Sequence, residues 1–384
     1  IDVDGINITN CYQFVAPITS NVEDAFNHCI IQNCRMTYAG HYGIELYRGC
    51  HHNKFLNNYI EVQTRAQMDA GTEWAGIWIG VGAASEAEQC NYNVIQGNDI
   101  SMAGAYGVVC ADDYNVVRNN IIHDCGDKGI SVFRSAYRNL VEDNVIYRCG
   151  VGPDGNGFNI HFFSAQYTIC RRNVLYDDWS GAGNLGESSL LDIMSREDLG
   201  ASQHNVIYNN VIYGSGNWGL SLGHYPGDKV TINNTFKNNI IYSNASKTVH
   251  FYSYPDNPLW PPYEDILFDH NLMSTGTSGQ DVVYFFCQGK AFTVSEAKGD
   301  YPSVFLYNID KDPLFVDAAA RDFRLQAASP CKDDGAFLTT TTGSGSGTVL
   351  TLEDADYFCD GYGIVDGDLI QLQGQTETAR IVSI

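Results

Sequence analysis

The sequence predicts an all-β fold: a single-stranded parallel β-helix, a solenoid of short coils, followed by a small C-terminal β module. Three observations predict it. First, one phrase recurs, as NVVRNNII (115–122), NLVEDNVI (139–146) and TICRRNVL (168–175). Second, the asparagine of that phrase can be followed along the chain at Asn33, Asn58, Asn98, Asn120, Asn144, Asn173, Asn210, Asn239 and Asn271, with a shortest interval of 22 residues. Third, apolar residues alternate with period two between copies, as in GVVC, GISVF and GFNIHF. Period-two alternation in so short a repeat gives strands joined by turns, and the repeat is too short for a helical hairpin. Each period is then one coil, every strand pairing with its counterpart one coil on.

The elements follow in order. Three residues before each Asn lies an apolar side chain or Cys, from Ile30 and Phe55 to Cys170 and Phe268. Two residues after it lies another, from Ile60 to Met273, with Arg35 the one departure. Parallel pairing stacks equivalent residues about 4.8 Å apart, so the asparagines form a ladder. Asn tolerates the left-handed turn conformation, and its amide satisfies backbone groups that a buried turn strands. The long intervals Asn58–Asn98 and Asn173–Asn210, the insertion GVGPDGNG (150–157) and the Pro- and aromatic-rich 253–264 read as projecting loops, where function tends to sit. A short helix is expected near Val294–Lys298. DPLFVD and DFRLQAASPCKDDG read as a closing segment, so the solenoid is placed at 1–337. TTTTGSGSG lies in a low-complexity linker, 338–347, and 348–384 alternates around DG turns as a small β module that can serve oligomerisation.

This organisation resembles right-handed parallel β-helix proteins of the pectate-lyase-like class, over roughly residues 1–335. The resemblance implies a right-handed coil and a secreted or cell-surface, carbohydrate-active protein.

The net charge of −23 argues against nucleic acid and against an anionic membrane surface. No apolar run is long enough to span a membrane. The chain opens on what reads as strand, without a signal peptide, as a mature or trimmed piece would. Twelve cysteines fall mostly in apolar rows and behave as small buried hydrophobes. Cys125 and Cys149 lie on adjacent coils at a separation compatible with a disulfide; stacked free thiols are the preferred reading. No CxxC pair points to zinc.

In a β-helix the inward rows are core and the outward rows are the working face. Counting from each glycine, the first outward row is Glu45, Trp78, Val109, Ser131, Asn159, Asp192, Ser221, His250, and the second is Tyr47, Gly80, Ala111, Phe133, His161, Met194, Gly223, Tyr252. A central zone gathers His161, Arg134, Asp192, Arg196 and Tyr252 as candidate catalytic groups. Trp78, Phe133, Asn159, Trp179 and His224 are candidate substrate contacts. Flat aromatics beside polar groups suit a sugar polymer, polysaccharide being the expected partner. A lyase removing the proton α to a uronate carboxylate needs a base and a cation. His161, Arg134, Arg196, Lys128 and Tyr252 are the candidates for base or neutraliser. Asp112, Asp113 and Glu187, together with Asp192, are oxygen ligands of the type calcium takes, and calcium is the one cofactor the sequence admits. A glycoside hydrolase would need two carboxyls at a set separation, Asp112 or Asp113 against Asp192.

The polygalacturonase-like set of NTD, DD and GHG is absent as a set, as is the alginate-lyase-like run of Lys and Arg. GNGFNIHFFSAQ (155–166) is similar in shape to the strand of mannuronan epimerases that carries an Asp-Pro-His element, but here it reads Asn159-Ile160-His161. The expected activity is cleavage of a polysaccharide by elimination on a uronate polymer. The alternatives are a glycoside hydrolase, a polymer epimerase, and a non-catalytic glycan-binding or tail-fibre-like protein.

Overall fold

The structure, a computed structural model, describes residues 2–15, 25–69, 71, 74–81, 86–152, 157–176, 188–196, 198–224, 231–244, 247–253, 265–343 and 347–384. Three sheets of ten strands run its length. Successive strands of one coil go to different sheets, and each strand pairs in parallel with its counterpart on the next coil. Val117 thus pairs with Val141, Ile122 with Ile146 and Val109 with Ser131. The chain is a parallel β-helix with three faces. The third face is built from Ile44–Leu46, Ile77–Ile79, Tyr106–Cys110, Lys128–Phe133, Phe158–Phe163, Ser189–Ser195, Trp218–His224, Lys247–Ser253 and Val283–Phe285. It ends in an antiparallel strand, Lys290–Phe292.

The asparagine ladder turns the corner between the first two faces. Asn120 shows the pattern: its Oδ1 accepts from the backbone N–H of Asn98 (2.9 Å) and its Nδ2 donates to Ile95 O and Asn144 Oδ1 (3.0 Å each). The residue before it, Asn119, takes the left-handed conformation (φ 55°). The ladder runs on to Asn308. Its first rung is corrected: Cys34, not Asn33, donates its N–H to Asn58, and Asn33 occupies the left-handed position (φ 55°). The departure of Arg35 from the apolar row had the same origin, since Met36 pairs with Ile60. A second ladder, Asn53–Asn93–Asn115–Asn139, holds the corner between the third and first faces.

Inward side chains form one continuous core whose aromatic members stack along the axis, Phe236 on Phe268 at 4.5 Å and Phe251 on Phe285 at 4.7 Å. The third-face strands begin close to the second-face side chains. A Cβ at Gly129 would lie 2.4 Å from Ile146 Cγ2 and 2.5 Å from Asn159 O, so only glycine fits. The eleven described cysteines are free thiols, Cys125 and Cys149 among them.

The expected helix spans Val294–Asp300, and Thr293 and Glu296 form a capping box at its start. Strands Phe315–Asp317 and Asp322–Leu325 then fold onto the second face, where Phe315 packs with Ile240 and Leu272. Tyr357 and Cys359 pack on Val116, Leu140, Ile169 and Val206 of the first face. Arg171, 4 % exposed, fastens them: it pairs with Glu142 at 2.7 Å and donates to Asp368 Oδ2 at 2.7 Å. The chain's own C-terminal residues therefore cover parts of two faces, and the predicted site lies on the third.

Candidate functional site

The register of the third face rearranges the expected rows. Ser131, His161, Asp192, Ser221, His250 and Tyr284 form one outward row. Phe133, Phe163, Met194, Gly223 and Tyr252 form the next. His161 thus belongs beside Asp192, one strand away, and Asn159 leaves the outward row. The Asn159 side chain is fully buried and donates to Ile146 O (2.9 Å) and Tyr176 O (3.2 Å), so it holds a corner and does not face outward. Counting from the glycine failed here because Gly157, with φ 67°, belongs to the preceding turn, and the counterpart of Lys128 is Phe158.

Asp192 is the centre of the site. Its Oδ1 accepts from Ser221 Oγ (2.7 Å) and from Tyr252 OH (3.3 Å), and its Oδ2 lies 3.4 Å from His161 Nε2. Ser221 Oγ is in turn 2.6 Å from Ser189 Oγ. Tyr252 is two strands away and reaches Asp192 across Gly223. A Cβ at Gly223 would lie 2.5 Å from the Tyr252 ring, so the missing side chain is what admits the phenol.

The His161 ring is sandwiched between Phe158 and Phe163, with both centroids at 5.2 Å, and its Nδ1 lies 3.4 Å from Ser131 Oγ. Burial holds its pKa well below the ordinary histidine value, with the Lys128 charge adding to the effect. Lys128 is buried against Tyr106 and Phe158. Burial opposes its charge, but Asp127, Tyr106 and Asp192 outweigh that and keep it an ammonium. Asp192 and His161 are 0 % and 5 % exposed, whereas Tyr252 is half-buried.

Two exposed arginines edge this network. Arg134 lies over Phe133 at 5.2 Å and donates to Val81 O at 2.8 Å. Arg196 lies over Phe163 at 5.9 Å with Asp198 2.8 Å from its Nε. Phe133 and Phe163 stack at 5.1 Å between them. The structure therefore brings together His161, Asp192, Tyr252, Arg134, Arg196 and Phe133. Trp78 shares the outward row but sits four strands from Asp192, donating its Nε1–H to Gly80 O (2.6 Å) and packing against Tyr42 and Tyr106. His224 ends its strand in register with Ser195, and its side chain lies outside the described residues, as do Trp179 and Glu187. Ser221 and Phe163 complete the site. Sequence reasoning left them without a role because their signal is register alone.

Of the expected calcium ligands, the described Asp112, Asp113 and Asp192 do not assemble. Asp112 is buried and accepts the backbone N–H of Cys90 (2.7 Å), and Asp113 accepts that of Tyr137 (2.8 Å). Both carboxylates serve turns of neighbouring coils, and burial raises the Asp113 pKa. Among the described residues no three His, Cys, Asp or Glu side chains are grouped to hold a metal ion. By strand register Asp112 and Asp113 lie three coils from Asp192, about 14 Å along the axis, so these aspartates do not form the expected two-carboxyl pair with it. No helix among the described residues is long and apolar enough to cross a membrane.

Residues 2–174 match the family described as right handed beta helix region. No curated protein matches the chain. Among solved structures, the chain is similar to the Dettilon tailspike protein, at 18 % identity and TM-score 0.43 over 66 % of this chain and 56 % of that one. It is similar to a tailspike protein mutant of E. coli bacteriophage HK620 in complex with pentasaccharide, at 13 % identity and TM-score 0.44 over 67 % and 45 %. A third similar structure is pectate lyase Pel9A, at 15 % identity and TM-score 0.41 over 84 % and 70 %. The chain thus spans about half the length of the two tailspike chains.

Proposed function

We propose that this chain cleaves an acidic polysaccharide, acting outside the cell or at its surface, by β-elimination on a uronate residue bound along the third face. The observation that carries this reading is Asp192, which meets His161, Ser221 and Tyr252 from neighbouring coils while two exposed arginines stand beside it. In elimination the proton α to the carboxylate passes to a base, its electrons form a ring double bond, and the glycosidic oxygen departs and takes up a proton. Tyr252 and Asp192 are the proton-transfer pair, Tyr252 being the half-buried member that a polymer can reach. His161 and Ser221 orient the carboxylate. Arg134 or Arg196 neutralises the uronate, whose added negative charge in the transition state a fixed guanidinium stabilises. Phe133 and Phe163 give the sugar ring an apolar floor.

The near-complete burial of His161 and Asp192 favours a second reading, in which the same face binds glycan without cleaving it. The test is absorbance at about 235 nm, where the unsaturated product absorbs, on a panel of uronate polysaccharides. A rise that disappears in Arg134→Ala and Tyr252→Phe supports the lyase. A flat trace with retained binding supports the second reading.

A further inference from the structure

Beyond Ser221 the outward row of the third face continues to His250 and Tyr284. His250 is 4 % exposed. Its ring stacks on Trp218, with centroids 3.9 Å apart and planes at 18°, and lies 5.7 Å from Tyr284 on a nearly parallel plane. Phe286 meets His250 edge-on at 6.1 Å and is 51 % exposed. Lys247 pairs in register with Trp218, and its Nζ lies 3.7 Å from Asp281.

The polar atoms of this stack are unmatched. Among the described residues neither ring nitrogen of His250 has a hydrogen-bond partner, and neither does Trp218 Nε1, although all three atoms are shielded from solvent. Burial holds the imidazole neutral, with a pKa down at about 3, so one of its nitrogens is a donor and the other an acceptor. Native interiors rarely leave such groups without partners, and each exception calls for an explanation. A pyranose ring supplies one. Its C–H face packs on aromatic carbon, and its equatorial hydroxyls both donate and accept at the ring's edge. Packing alone would be served as well by phenylalanine at position 250.

We propose that Trp218, His250, Tyr284 and Phe286 form a sugar-ring subsite that holds the pyranose two places along the polymer from the one at Asp192, with a hydroxyl hydrogen-bonded to the His250 ring. The assignment rests on the reading that the third face takes a polysaccharide. His250 stands two coil spacings from Asp192, about 10 Å. Tyr252 bridges the two places, with its ring 5.7 Å from that of His250 and its hydroxyl on Asp192. Lys247, on the edge of the stack, gives the subsite a preference for a uronate over a neutral sugar.

Binding of galacturonate and mannuronate tetrasaccharides, and of a neutral tetrasaccharide, to an Asp192→Asn chain by titration calorimetry tests this. Phe286→Ala removes an exposed ring and is expected to weaken uronate binding about tenfold. His250→Phe keeps the stack and removes both nitrogens. It is expected to weaken binding about tenfold while the thermal midpoint holds or rises, a split that a purely packing role does not produce. Uronate binding unchanged in both variants overturns the subsite and leaves the lyase reading standing. Uronate binding lost in these variants, with no unsaturated product from the unsubstituted chain, leaves the subsite standing and overturns elimination. An unsubstituted chain that binds none of the tetrasaccharides overturns both.

Discussion

Substituting Asn173 by alanine tests the ladder where it is fully buried. The Asn173 Oδ1 accepts from the backbone N–H and the Nδ2 of Asn144, both at 3.0 Å, and its Nδ2 donates to Val141 O and Asn210 Oδ1, both at 3.0 Å. Alanine removes these four bonds and the longer one from Nδ2 to Cys170 Sγ (3.4 Å). Asn210 still accepts from the Asn173 backbone N–H (2.9 Å), and the Asn144 amide still donates to Val117 O (2.9 Å). One group is stranded outright, the N–H of Asn144; the Val141 carbonyl keeps the Arg171 N–H, its partner in the parallel ladder. A buried group without a partner costs about 1–3 kcal/mol, so the expected loss is about 1–3 kcal/mol, a sizeable share of the stability of a typical domain. Urea unfolding followed by circular dichroism measures it, the midpoint falling at unchanged slope. The control is Asn209→Gly, one residue from the next rung, exposed and left-handed with φ 56°. Glycine accepts that conformation, and a change below about 1 kcal/mol is expected there. A loss below about 1 kcal/mol for Asn173→Ala would refute the argument that the ladder amides satisfy otherwise stranded backbone.

Two further outcomes follow from the same physics. Asp368→Ala leaves Arg171 buried with Glu142 and the Tyr208 hydroxyl, and the C-terminal residues should lose about 2–4 kcal/mol of their hold on the first face. Proteolysis should then release 348–384 before the solenoid unfolds, and unchanged protease sensitivity contradicts this. The pH dependence has two limbs. His250 and His161 have pKa values depressed by burial, that of His250 to about 3. Between about pH 6.5 and 3 the unfolded chain therefore binds more protons, and stability falls as pH falls. His123 is the reverse case. Burial lowers its pKa, but hydrogen bonds to Asp124 and Asp99 outweigh this and raise it to about 9. Its contribution is full below about pH 6.5 and is lost as pH rises through 9. Urea midpoints across this range should peak near neutrality, and His250→Phe should flatten the acid limb alone.

The architecture is legible in the sequence because a coil geometry that repeats asparagine at one corner imposes a chemical signature that survives variable loop lengths. The second ladder, at Asn93 and Asn115, was equally available but is hidden by Thr168 and Cys29 at equivalent rungs. The phase is ambiguous at two turns: at Asn33, where the rung is the following Cys34, and at Gly157, which belongs to the preceding turn. A one-residue or two-residue slip there exchanges whole rows. That is why His161 was read in the row of Phe133, whereas the register puts it beside Asp192. The partners of Asp112 and Asp113 are hidden in the sequence for a different reason. A carboxylate that accepts a neighbouring coil's N–H and one that holds a metal have the same local sequence, and only the partner distinguishes them. The role of Gly223, which lets Tyr252 reach Asp192, depends on absent atoms two strands apart and leaves no local signal.

The central claim is that the Asp192 network eliminates across a uronate glycosidic bond. The most direct measurement is the mass of the fragments released from galacturonate and mannuronate tetrasaccharides. The account predicts one unsaturated fragment, lighter by a water than its hydrolytic counterpart, and its loss in Asp192→Asn. Intact tetrasaccharides, or fragments that have all gained water, would contradict it.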